Sequence, residues 1–100
     1  MNTHPMKLVT VIGEALAREP LERLLRAAGA QGWTLFPVEG HGHRGARPGD
    51  IAEFANIQVE VILQPEAAAL LLERLARDFF PLYAMVAHES DIRVLRPAKF

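Results

Sequence analysis

The chain has 100 residues, which sets a single domain spanning 1–100 as the expectation. Half of the residues are hydrophobic, 23% are charged and the formal net charge is -1; this argues against disorder and makes nucleic acid a poor main partner, because such binding rests on clustered positive charge. There is no cysteine, so disulfides, thiol catalysis and cysteine zinc sites are excluded.

No apolar run approaches the ~20 residues that span a bilayer. The opening Met1-Asn2-Thr3-His4-Pro5 has no basic stretch followed by an apolar one, so it does not read as a signal peptide. Residues 1–5 are expected to form a loose leader, and the cytoplasm is the expected address.

Lys7 to Ile12 is β-branched and apolar and predicts a first strand, covered on both faces. Leu21, Leu24, Leu25 and Ala28 then recur at helical spacing, with Glu22, Arg23 and Arg26 on the other side. Pro20 fits the first turn of that helix, and Gly29 and Gly32 are expected to end it. Glu22 and Arg26, one turn apart, are expected to pair.

Trp33 to Val38 predicts a second strand, and Pro37 places it at an edge or a bulge. From Gly40 to Asp50 the chain carries Gly40, Gly42, Gly45, Pro48 and Gly49, which argue against regular structure. A loop of this length in a compact domain is typically functional or disordered. Asn56 to Leu63 alternates cleanly: Ile57, Val59, Val61 and Leu63 face one way, Gln58 and Glu60 the other.

Pro65 opens a second helix whose apolar face is Ala68, Leu71, Leu72, Leu75, Ala76 and Phe79, with Glu73 and Arg77 paired outside and Pro81 as the stop. Tyr83 to Ala87 predicts a fourth strand, and Ile92 to Leu95 a short fifth.

The order is strand, helix, strand, strand, helix, strand. This is the βαββαβ pattern of an α+β, ferredoxin-like domain with an antiparallel sheet and both helices on one face. The opposite sheet face then requires cover. Val9, Val11, Phe36, Val38 and Met85 have apolar neighbours of opposite parity, among them Leu8, Ile12, Leu35 and Val86. Alternating side chains cannot all reach the helices, so an oligomer is expected.

The loop is the candidate site. Gly40, Gly42 and Gly45 let backbone approach a ligand closely, successive N–H groups in such turns form anion nests, and Arg44 and Arg47 supply donors suited to phosphate oxygens. The stretch Gly32-Trp33-Thr34 followed by Gly40-His41-Gly42-His43-Arg44 resembles the PII signal-transduction family, where a G-x-T strand leads into G-x-G-x-R at the base of the T-loop. The first strand from Met6 and the third from Asn56 resemble that family as well, so the likeness runs from about Met6 to Leu95.

It implies a homotrimer with nucleotide clefts between subunits, and a T-loop at 40–55. Residue by residue, it implies Thr34 beside adenine, Gly40 and Gly42 against ribose and phosphate, and Arg44 on phosphate. His43 and Arg47 are further candidates, as are Arg93 and Arg96 near the family's C-terminal phosphate arginines.

Two departures narrow the resemblance. No tyrosine lies between Gly40 and Asn56 to accept uridylylation. Phe80-Pro81-Leu82-Tyr83 stands where nitrogen-signalling members carry a lysine- and glycine-rich loop for the outer phosphates. With Ala55-Asn56-Ile57 after the loop, the chain is more similar to the PII-like proteins associated with carboxysomes and bicarbonate transporters. That implies ADP or AMP as ligand, bicarbonate as co-ligand and a bicarbonate transporter or carboxysome component as protein target, with no catalysis.

Three rival readings compete with this one. His41 and His43, with His88 and His4 elsewhere, suggest a metal-binding trimer of the copper-tolerance type. Glu39, Asp50, Glu53 or Glu89 could orient water in a nucleotide phosphohydrolase. A bare oligomerisation module is the third, and the arginines beside the loop glycines argue against it.

Overall fold

The computed structural model describes residues 2–40 and 56–100. Four strands form one antiparallel sheet: β1 (His4–Glu14), β2 (Thr34–Val38), β3 (Asn56–Leu63) and β4 (Met85–Val94), in the order β2-β3-β1-β4. Helix α1 (Arg18–Ala27) joins β1 to β2, and α2 (Pro65–Arg74) joins β3 to β4. This is the ferredoxin-like α+β architecture. No helix among the described residues is long and apolar enough to cross a membrane.

The core lies between the helices and one sheet face. Val9 and Val11 of β1 meet Val59, Val61 and Leu63 of β3, under Leu21, Leu24 and Leu25 of α1 and Ala68 and Leu71 of α2. Each fully buried Val or Leu contributes about 1.5–3 kcal/mol relative to exposure. β2 sits at the sheet edge, where the missing N–H of Pro37 is tolerated.

Alternation sorts the two apolar sets. Val9, Val11, Leu35 and Met85 pack in the core, which leaves Leu8, Ile12, Phe36, Val38 and Val86 on the second face. Val86 is 60% exposed there.

Several local expectations need correction. β1 begins at His4, paired with Val94, so His4 and Pro5 belong to the sheet rather than to a loose leader. The expected fourth and fifth strands are one continuous β4, because β1 is long enough to pair with all of it from Gly13 down to His4. Glu22 meets Arg18 at 3.5 Å, and Arg26 instead lies over the Trp33 ring.

Past Arg74 the helix widens into a π-turn over Leu75–Phe79, closed by Phe80 N–H donating to the Leu75 carbonyl at 3.0 Å. The wider turn keeps Leu75 and Phe79 buried but leaves Ala76 exposed. It also brings Asp78 to Arg77 at 2.9 Å, so Arg77 does not take Glu73 as its main partner.

Helix α1 ends in a Schellman arrangement: Ala30 N–H donates to Leu25 and Gly29 N–H to Arg26, with Gly29 at φ 92°. Gly32 has no positive φ and open space around it, so of these two glycines Gly29 alone is conformationally required. Gly29→Ala is expected to cost roughly 1–2 kcal/mol. Gly32→Ala is expected to be neutral, or stabilising by up to about 1 kcal/mol. Urea unfolding of the two variants measures the contrast.

Hydrogen bonds from Arg77, seconded by Arg74, hold the Asp78 carboxyl below the ordinary aspartate value. A depressed carboxylate stabilises the fold above its unfolded-state pKa, and the contribution is lost as pH falls through the folded value. Asp78→Asn should therefore lower the melting temperature slightly at neutral pH. The gap to the parent should close when melting is repeated well below the ordinary aspartate pKa.

Candidate functional site

Gly40 follows β2 and Asn56 opens β3, so the intervening loop leaves and returns at one rim of the sheet. A Cβ built on Gly40 would stand 3.9 Å from Asn56 Nδ2. Asn56 pairs with Val38 on one side and Glu14 on the other. Glu14 fastens the residue that leads into β4: its side-chain Oε1 accepts from Ala84 N–H at 2.8 Å, and its backbone N–H donates to the Ala84 carbonyl at 3.2 Å. The rim is thus a hydrogen-bonded platform for a loop that departs at Gly40. Gly42, His43, Arg44 and Arg47 lie outside the described residues, as do His41, Asp50 and Glu53.

Thr34 opens β2 on the second sheet face and is exposed. Its cross-strand neighbour is Glu60, which pairs in turn with Thr10, and Thr10 with His88. A polar row therefore crosses a face that is otherwise rich in apolar residues. Glu60 is half-buried, and its Oε2 accepts from Gln58 Nε2 at 3.3 Å. The alternation of β3 puts Glu60 on this face, and its register with Thr34, visible only in the fold, sets it beside that residue.

Arg93 and Arg96 are exposed at the other end of the molecule. Arg93 pairs with Pro5, eight residues along β1 from Gly13 and the loop rim, which is roughly 27 Å at the rise of a strand. Arg96 precedes the closing 3₁₀ turn, Pro97–Lys99. Within one subunit these arginines cannot share a ligand with Gly40; they can do so only across a subunit boundary. The segment from Phe80 to Tyr83 is a tight apolar turn, with Leu82 and Tyr83 N–H both donating to the Phe79 carbonyl and Leu82 largely exposed. It offers no side-chain cation to a phosphate chain.

Among the described residues no group of three His, Cys, Asp or Glu gathers as a metal site. His4 and His88 are exposed; His4 pairs with Val94 and His88 with Thr10, too far apart along the sheet to share an ion. Of the acidic residues considered for hydrolysis, Glu89 faces Lys7 at 3.5 Å and Glu39 is exposed.

A family model for nitrogen regulatory protein P-II matches residues 6–99. No curated protein matches the chain. Among solved structures, a PII-like signaling protein from Thermus thermophilus is 36% identical at a TM-score of 0.83, over 100% of this chain and 99% of that one. CPII from Thiomonas intermedia, bound to ADP and bicarbonate, is 31% identical at a TM-score of 0.85, over 99% of this chain and 97% of that one. The same protein bound to ADP, AMP and acetate matches at 30% identity and a TM-score of 0.80, over 100% and 98% of the two chains. With the strand order, the loop rim and these matches in agreement over nearly the whole length, the chain belongs to the nitrogen regulatory protein P-II family and is structurally similar to its PII-like CPII members.

Proposed function

We propose that this protein is a single-domain regulatory subunit that binds ADP or AMP in clefts between the subunits of a homotrimer. It responds to bicarbonate and signals through the loop at 40–55 to a protein of inorganic-carbon metabolism, such as a bicarbonate transporter or a carboxysome component. The observation that carries this reading is the likeness to CPII, solved with ADP, AMP and bicarbonate, across 99% of this chain. Localisation in the cytoplasm and the absence of catalysis belong to the same reading.

The geometry supports it in two ways. Thr34 and Gly40 lie on the β2 side of the sheet, while Arg93 pairs with Pro5 near the far end of β1 and Arg96 follows just past the end of β4. A complete site of these residues needs more than one subunit. The apolar second face, with Leu8, Ile12, Phe36, Val38 and Val86, needs cover that an assembly of three such subunits provides.

In each cleft Thr34 meets the adenine, with Glu60 beside it on the same face. Gly40 and Gly42 admit ribose and phosphate, and Arg44 takes the phosphate, assisted by His43, Arg47, Arg93 and Arg96. The apolar turn at 80–83 suits a ligand with few phosphates.

Signalling requires that nucleotide and bicarbonate bind one loop state better than another, for otherwise nothing reaches the partner. Bicarbonate supplies that difference by neutralising Arg44 or Arg47, or by bridging to the phosphate.

Calorimetric titration with ADP, AMP, ATP and cyclic AMP, each with and without bicarbonate, tests the reading. The expected result is binding of ADP or AMP that tightens with bicarbonate and falls at least tenfold in Arg44→Ala, the loss of a charge-assisted phosphate contact. Failure of every nucleotide to bind under both conditions would sink it.

A further inference from the structure

Trp33 is the chain's single tryptophan, and it stands immediately before Thr34. Its ring is partly buried against the core. Nε1 donates to Glu22 Oε2 at 3.1 Å, and the Arg26 guanidinium lies 5.1 Å from the ring centroid. Glu22 is itself met by Arg18 at 3.5 Å. Residues 18, 22 and 26 are spaced one helical turn apart, so a single stripe of α1 grips one indole.

The segment being gripped has little else to hold it. Gln31 and Gly32 are exposed, and Gly32 has open space where a side chain would stand. Thr34 is the first residue of a five-residue edge strand, a position that frays when it is unanchored. Leu35 packs on the core, so alternation turns Thr34 to the opposite face.

We propose that Trp33 is a positioning residue of the nucleotide cleft. Anchored to α1 through Glu22 and Arg26, it fixes the start of β2 and thereby the direction in which Thr34 is presented. The inference rests on the nucleotide reading given above and deepens it. A binding hydroxyl has to be held within about 0.5 Å of its productive position. Here the holding is done from the side of the sheet that the ligand does not reach. The α1 stripe accordingly tunes affinity without touching nucleotide.

The test is calorimetric ADP titration of the full chain and of Glu22→Ala, Glu22→Gln, Trp33→Phe and the Glu22→Ala/Trp33→Phe double variant. It is run at a temperature where circular dichroism shows every variant folded. Glu22→Ala and Trp33→Phe are each expected to weaken ADP binding about fivefold, the worth of one net hydrogen bond. The double variant should be no weaker than either single one, because both remove the same bond. Glu22→Gln keeps an acceptor for the indole N–H and should restore parental affinity, which a general loss of stability would not do. Tryptophan emission of the parent should change with the same midpoint as the calorimetric isotherm.

Parental affinity in Glu22→Ala and Trp33→Phe would overturn the proposal while leaving the nucleotide reading intact. Equal weakening by Glu22→Gln and Glu22→Ala would overturn it as well. Absence of ADP binding by the parent would instead strike the nucleotide reading itself.

Discussion

The structure depends on the demand that β1 places on two layers at once. It is a central strand, flanked by β3 and β4, and its side chains alternate between faces. Val9 and Val11 carry the helix layer; Leu8 and Ile12 point away from it, with Thr10 between them. A strand apolar on both faces is stable only if both are covered, and among the described residues the helices cover one face alone. The apolar residues that other strands add to the second face follow from the same demand. The polar row from Thr34 through Glu60 and Thr10 to His88 interrupts that face where the proposed ligand would sit.

Much of this was legible from residue order. The alternation of Ile57, Val59, Val61 and Leu63 named the core face of β3 directly, and the leucines of α1 marked its buried stripe. Pro37 pointed to the edge position of β2. Register was less visible. Nothing in the polar run from His88 to Asp91 signals a strand, yet pairing with β1 imposes one, and His4 and Pro5 are drawn in at the other end. Ion-pair expectations failed for a similar reason. Spacing alone joined Glu22 to Arg26, but the Trp33 ring reaches back from a residue beyond the helix and takes both.

The candidate site rests on a different kind of signal. Glycines beside arginines suggest an anion site from composition, and the candidate roles come from resemblance to a family. The distance between Gly40 and Arg93 was not readable, since it follows from the full length of β1 and from the antiparallel return of β4. That distance turns a collection of candidate residues into an argument for assembly. Glu60 drew no candidate role because a charged residue on an outward face normally needs no explanation; only its register with Thr34 distinguishes it.

The closeness of Gly40 to Asn56 has an evolutionary consequence. The two ends of the loop are fixed by the sheet itself, through Val38, Asn56, Glu14 and Ala84, whatever lies between them. Joining two such fixed points costs entropy that grows only logarithmically with length, about 0.6 kcal/mol for each doubling. The rim therefore behaves as a socket. Descendants of one ancestor can shorten the inserted segment, lengthen it or strip it of a modification site while the domain beneath folds as before. Each such exchange changes what the rim presents without rebuilding the sheet beneath it.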